Sequence, residues 1–103
     1  RFEAMLRRRP GIAERILTPE ERALPVQSQA ARFAAKEALA KALGSPGGMS
    51  WLDAEVVRSE AGEPSFVVTG TVAERLAELG ITRIHLSVSH DGGFASATVV
   101  CEA

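Results

Sequence analysis

Four charged side chains, Arg32, Lys36, Glu37 and Lys41, fall within one alanine-rich stretch of this 103-residue sequence, and their types and spacing suit chemistry on phosphates. At 100° per residue, positions 27–44 put Phe33, Leu39, Leu43 and a set of alanines on nearly every side, the pattern of a helix buried in a core. Charges are out of place on such a helix. Glu37 and Lys41 stand one turn apart on a stripe shared with Phe33 and Ala34. A carboxylate among small, apolar neighbours must be paired or bind a metal, because leaving it bare is costly. Two readings stand at this point. One is an ordinary i,i+4 Glu-to-Lys pair contributing ~0.3–0.5 kcal/mol. In the other, Glu37 ligates a hard divalent cation through oxygen and Lys41 meets a phosphate. That arrangement suits magnesium, which takes few protein carboxylates and completes its shell with water and substrate phosphates.

Two further candidates, His90 and Asp91, are expected where a strand gives way to a turn. His90 reads equally as a local cap and as a proton acceptor, and Asp91 equally as a turn residue, since Asp-Gly favours hairpin geometry. His85 is expected to point away from Ile84, Leu86 and Val88 and to be structural. The lone cysteine, Cys101, ends an apolar run and reads as a packed, inert thiol.

The elements that must position these groups can be placed along the chain. A helix is expected over residues 1–9, with Phe2, Met5 and Leu6 on one side and Pro10-Gly11 as its stop. Thr18-Pro19-Glu20-Glu21 signals a second, short start: a threonine cap, proline at the first helical position and a glutamate three residues after the cap. The long helix spans 27–43 and ends at Gly44. Strands are expected at 52–58 and 65–69, joined as a hairpin through the turn-forming segment 60–64. An amphipathic helix over 71–79 turns Val72, Leu76 and Leu79 inward and stops at Gly80. Strands at 84–89 and 94–101 flank Asp91-Gly92-Gly93. The class is therefore α+β, a single domain over 1–103: a long buried helix packed against a small, mainly antiparallel sheet.

Length and composition set bounds. One small domain of this size sits near the limit at which a core is self-sufficient, so oligomerisation would help it. No apolar run reaches the ~18 residues of a membrane span. One cysteine and no visible signal peptide give an expectation of a cytoplasmic protein with no membrane partner. Net charge is −1 but uneven: residues 1–45 carry nine Lys or Arg against five Glu, whereas the remainder carries three against eight acidic groups. A basic front half suggests an acidic partner. The Arg7-Arg8-Arg9 cluster raises nucleic-acid binding as an alternative. The sequence has no Tyr and no aromatics interleaved with its basic residues, so no nucleic-acid partner is expected.

The segment Arg32-Phe33-Ala34-Ala35-Lys36-Glu37-Ala38-Leu39-Ala40-Lys41-Ala42, followed by Leu43-Gly44, resembles the signature helix of the phosphopantetheinyl transferases, in the form found in the small holo-acyl-carrier-protein synthases. Glu14-Arg15-Ile16-Leu17-Thr18-Pro19-Glu20-Glu21 is similar to the family's early R-I-L-T-x-x-E block. His85-Leu86-Ser87-Val88-Ser89-His90-Asp91 is similar to its late H-V-S-x-S-H strand, and residues 95–100 to the A-x-A-x-V-V strand that follows. Order and spacing agree across essentially the whole chain.

The resemblance implies the family fold, a homotrimer with active sites between subunits, and transfer of 4'-phosphopantetheine from coenzyme A to a serine of an acyl carrier protein, a step of fatty-acid biosynthesis. It implies that Glu37 is a magnesium ligand. It also implies that Arg32 and Lys41 contact the coenzyme A phosphates, that backbone around Gly44 lines the site, and that His90 lines it as well. Arg1, Met5, Arg8 and Arg15 match the carrier-docking positions, which accounts for the basic front half. The family opens with a G-I-D-x-V strand whose aspartate is a second metal ligand. No residue here matches it, so the sequence is expected to be part of a longer chain. A homologue that binds coenzyme A or carrier protein without turnover is the remaining alternative.

Overall fold

The computed structural model describes residues 2–103, and Arg1, assigned above to carrier docking, lies outside the described residues. Helix α1 spans Phe2–Arg8, α2 Ile12–Ile16, α3 Pro19–Arg22 and α4 Val26–Ala42. A single 3-10 turn, Trp51–Asp53, leads into strands β1 (Ala54–Arg58) and β2 (Pro64–Val68); α5 (Gly70–Leu79), β3 (Arg83–Asp91) and β4 (Phe94–Glu102) complete the chain. The α+β class is as expected, but the strands form two separate antiparallel hairpins, β1–β2 and β3–β4, rather than one sheet.

Strict alternation explains the second hairpin. Ile84, Leu86 and Val88 on β3, with Ala95, Ala97, Val99 and Cys101 on β4, turn to one face, and α4 packs across it, chiefly on β4. Alanines on both elements allow close approach. The main core gathers Leu39 and Leu43 of α4, Ala54 of β1, and Val72 and Leu76 of α5, with Ile84, Val99 and Cys101 packed against it. Cys101 is thus the packed thiol expected, and burial pushes its pKa up, away from the reactive thiolate. His85 points outward and pairs with Glu102 at 2.6 Å.

Several expectations need correction. Pro10-Gly11 does end α1, but the chain re-enters a helix at once, with Gly11 in the left-handed region at φ 89°, so α2 follows where no helix was anticipated. Leu52 belongs to the 3-10 turn and not to a strand. Leu79 is exposed rather than inward, since the last turn of α5 runs past the edge of the core that Val72 and Leu76 fill. Most consequential is α4. It is not buried all round: Ala31, Arg32, Ala35, Lys36 and Leu39 are buried, while Glu37 and Lys41 are exposed. The charges inside the protein are Arg32 and Lys36, and the apolar surroundings inferred for Glu37 are not observed.

Lys36, 2% exposed, is tolerated because every ammonium proton is used. Its Nζ donates to Glu21 Oε1 at 2.6 Å, to the Ile16 carbonyl at 2.6 Å and to the Trp51 carbonyl at 3.0 Å. Glu21, 1% exposed, is equally saturated. Its Oε1 also accepts from the Thr18 amide at 2.9 Å and its Oε2 from the Val56 amide at 2.8 Å. The capping box predicted from Thr18 and Glu21 is therefore present, with the Thr18 hydroxyl accepting from the Glu21 amide, but its glutamate does more than cap α3. Burial pushes the Lys36 pKa down, and the Glu21 carboxylate opposes that shift.

A second polar joint holds α5. Asp53 Oδ2 accepts from the Thr71 amide at 2.8 Å and its hydroxyl at 2.7 Å, capping the helix start from outside. Gly70, at φ 47°, is required there, because a Cβ would stand 2.6 Å from Asp53 Oδ2. These bonds favour the carboxylate and hold the Asp53 pKa below its ordinary value.

Because the folded Asp53 pKa is depressed, its contribution is present above the unfolded value of about 3.9 and disappears as pH falls through the folded one. The melting-temperature gap between wild type and Asp53→Asn should accordingly be open near neutrality and close in acid, and a gap independent of pH would contradict the assignment. For the buried pair, Lys36→Met should cost about 3–5 kcal/mol in urea unfolding, since it strands the Glu21 charge. Glu21→Gln/Lys36→Met should cost much less than the sum of the two single changes, and simple additivity would show that the two charges are not coupled.

Candidate active site

α4 carries most of the candidate residues, and its rotation decides which of them meet solvent. With Lys36 held inward by Glu21, the next residue, Glu37, is turned out by about 100°. Lys41 follows one turn later on the same exposed side. No salt bridge joins them among the described residues, so the i,i+4 pair is not formed. Glu37 thus presents a free carboxylate beside a free ammonium.

Among the described residues no group of three or more His, Cys, Asp or Glu side chains converges on a metal-sized site. A single exposed carboxylate with a lysine one turn away fits a magnesium ion held mainly by water and phosphate oxygens. It would not fit a closed, all-protein site.

Beyond Lys41 the helix ends in a paired reversal. The Ser45 amide donates to the Ala40 carbonyl at 2.7 Å and the Gly44 amide to the Lys41 carbonyl at 3.1 Å. Gly44 adopts φ 83° and Ser45 φ 46°. The turn places Gly44 in the open, next in line after Lys41.

Arg32 lies one turn before Lys36 on the inward side and is 7% exposed. Its Nη1 donates to the Ser28 carbonyl at 3.4 Å, while its Nε has no partner. Desolvation lowers its pKa, Glu21 opposes this and the Arg58 charge reinforces it. The unpartnered Nε is sealed in the interior, so only the terminal nitrogens of this guanidinium could meet a ligand.

His90 and Asp91 stand at the far end of β3, where Asp91 pairs with Phe94 across the turn. The turn itself is Gly92-Gly93, both at positive φ, so Asp91 flanks it and is not one of its central residues. Both side chains are exposed and line a cleft of about 320 Å³ with Phe94 and with Gln27, Ser28 and Ala30 from the start of α4. Gln27 and Lys41 are fourteen residues apart on one helix, about 20 Å along its axis. One chain therefore brings His90 and Asp91 together with the head of α4, and Glu37, Lys41 and Gly44 with its tail.

The front of the molecule offers cations to solvent. Phe2 is buried and stacks obliquely on Phe33 of α4, ring centroids 5.6 Å apart, which fixes α1 on the signature helix. Arg7, Arg8, Arg9 and Arg15 are exposed, and Met5 is half-buried beside them.

Residue patterns missed three groups that shape this site: Glu21, Lys36 and Arg75. Glu21 was legible as a cap only. Lys36 shares its spacing with buried Arg32 and Leu39, which was the available signal. Arg75 of α5 donates from Nε and Nη2 to the Leu43 carbonyl at 3.1 and 3.0 Å, a contact between residues 32 positions apart that no local pattern announces.

Comparison with known proteins identifies the family. Residues 1–99 match the family model of the 4'-phosphopantetheinyl transferase superfamily. The chain is 61% identical over 102 residues to the holo-acyl-carrier-protein synthase of Clavibacter michiganensis, covering 99% of this chain and 86% of that protein. Its structure is similar to the crystal structure of the enzyme of that name from Neisseria meningitidis, with TM-score 0.86 and 35% identity over 99% of this chain and 89% of the other. It is also similar to the Helicobacter pylori synthase crystallised with coenzyme A, with TM-score 0.81 and 34% identity over 98% and 90% of the two chains. The chain belongs to the holo-acyl-carrier-protein synthases of the 4'-phosphopantetheinyl transferase superfamily.

Proposed function

We propose that this chain moves the 4'-phosphopantetheine arm of coenzyme A onto a serine of apo-acyl carrier protein, using the open face of α4 as its phosphate site. The observation that carries the reading is the unpaired Glu37–Lys41 couple beside the Gly44 turn, on a helix whose rotation is fixed from behind. The serine oxygen forms a bond to the β-phosphorus, the bond from that phosphorus to the bridging oxygen breaks, and adenosine 3',5'-bisphosphate leaves with the electron pair. Chemistry of this kind depends mainly on positioning and charge stabilisation. Lys41 holds phosphate oxygens as negative charge shifts to the leaving group. Arg32, buried one turn before Lys36, is proposed to reach a phosphate only through the terminal nitrogens of its guanidinium, since its Nε is sealed from solvent. Glu37 would hold magnesium, which when bound neutralises charge on the pyrophosphate oxygens. His90 accepts the serine proton, with Asp91 beside it as the alternative acceptor.

The separation along α4 supports a site completed by a second copy. His90 shares a cleft with the head of α4, and Gln27 there is about 20 Å along the axis from Lys41, so a His90 acting at the phosphorus that Lys41 holds would come from a second chain. The outer face of β3–β4 is the surface proposed for that contact. It exposes Ser87, Ser89, Ser96, Thr98 and Val100, with Phe94, 63% exposed, next to His90. A closed homotrimer is the assembly proposed, and it would also enlarge the core of so small a domain. Arg8 and Arg15, with the half-buried Met5 of α1, form the surface proposed to receive the acidic carrier protein.

Incubating the protein with apo-acyl carrier protein, coenzyme A and magnesium, then weighing the carrier by mass spectrometry, tests this directly. Gain of one phosphopantetheine mass is the expected result, and no gain with any divalent metal would overturn it. Glu37→Gln should abolish turnover with an unchanged melting temperature, whereas near-normal rate would show that the carboxylate is not a ligand.

A further inference from the structure

The turn after α4 is held from another element, and the way it is held bears on substrate binding. The reversal at Gly44 and Ser45 satisfies the carbonyls of Ala40 and Lys41, and the Leu43 amide returns to the Leu39 carbonyl at 3.0 Å. The Leu43 carbonyl is left outside this set. Arg75 on α5 takes it with two donors of one guanidinium, a fork that fixes direction as well as distance. Arg75 Nη2 also stands 3.3 Å from the position a Cβ on Gly44 would occupy, so the guanidinium lies directly against the glycine.

The turn needs such a hold. Ser45 sits at φ 46° without being glycine, a conformation that costs of order 1 kcal/mol and persists only where neighbours enforce it. The two glycines that follow, Gly47 and Gly48, have nothing within 4 Å of a notional Cβ, so the segment beyond is not packed from their side. The remaining terminal nitrogen of Arg75 meets the exposed Glu78 carboxylate at 3.5 Å, a weak pair. Arg75 is therefore committed to the turn and to little else.

We infer that Arg75 is a positioning residue for coenzyme A: by clamping the Leu43 carbonyl it sets the Gly44–Ser45 backbone, and with it the end of α4 that carries Lys41, against the substrate's phosphates. The inference rests on the proposed reading of Lys41 and Gly44 as phosphate contacts. Arg75 touches no reacting atom in this role. Its effect passes through the turn.

The test compares wild type with Arg75→Ala and Arg75→Lys, measuring kcat and KM separately for coenzyme A and for apo-carrier protein. Binding of adenosine 3',5'-bisphosphate is measured by calorimetry, below the melting temperature of each protein. Loss of the two charge-assisted bonds should raise the KM for coenzyme A and the Kd for the bisphosphate about tenfold in Arg75→Ala. The KM for carrier protein should stay within about twofold, and Arg75→Lys, which keeps the charge and one donor nitrogen but not the fork, should recover part of the loss. Equal KM values in folded variants, or a lowered melting temperature with unchanged bisphosphate affinity, would overturn the inference and leave Arg75 a structural cap. A wild-type chain that neither transfers phosphopantetheine nor binds the bisphosphate would instead overturn the underlying reading of the site, and this inference with it.

Discussion

The arrangement of this molecule depends on one buried ion pair. Lys36 and Glu21 are the only oppositely charged partners joined inside the protein among the described residues, and between them they satisfy groups on α2, α3, the 3-10 turn, β1 and α4. Such a pair adds little net stability compared with apolar packing, because desolvation offsets the attraction. What it supplies is direction. An ammonium with three acceptors and a carboxylate with three donors admit one rotation of α4, and the same shape is not offered by an alanine-rich surface that could slide or turn. Fixing Lys36 inward turns Glu37 outward, so the buried structural residue and the residue proposed for chemistry are adjacent in sequence and face opposite ways.

α4 then acts as an axis along which the site is laid out. Its head meets the β3–β4 turn with His90 and Asp91; its tail carries Lys41 and the Gly44 reversal, clamped from α5. Neither end alone holds both the groups that would bind a pyrophosphate and those that would accept a proton. The division across copies proposed above would give a small domain two benefits from one contact, a larger buried surface and a cleft lined from two sides.

Much of the fold was legible because its elements carry local signals. Glycine closes α4 and α5, the Thr18 capping box opens α3, and alternation marks β3 and β4. The errors came from contacts between distant segments. An alanine-rich helix has little hydrophobic contrast around its circumference, so the projection could not say which charges face inward, and it assigned to Glu37 the burial that belongs to Lys36. Alanine presents no obstacle to either orientation, and the decision fell to Glu21, fifteen residues earlier. Arg75 was invisible for the same reason: an arginine on an amphipathic helix reads as a solvated face until the carbonyl it caps is brought to it by the fold. The residues proposed for chemistry, Glu37, Lys41, Gly44 and His90, were legible through the family resemblance, whereas their distribution along α4 follows only from the three-dimensional arrangement.

The tail of one α4 is proposed to work with the β3–β4 turn of another copy. Subunit mixing tests it most directly. Lys41→Ala and His90→Ala, each expected to be inactive alone, are refolded together in equal amounts and assayed for phosphopantetheine transfer. Random assembly leaves about one contact in four with both native residues, so the mixture should recover about a quarter of the wild-type rate. A mixture as inactive as its parents, or a wild-type enzyme that is fully active as a monomer, would contradict the account.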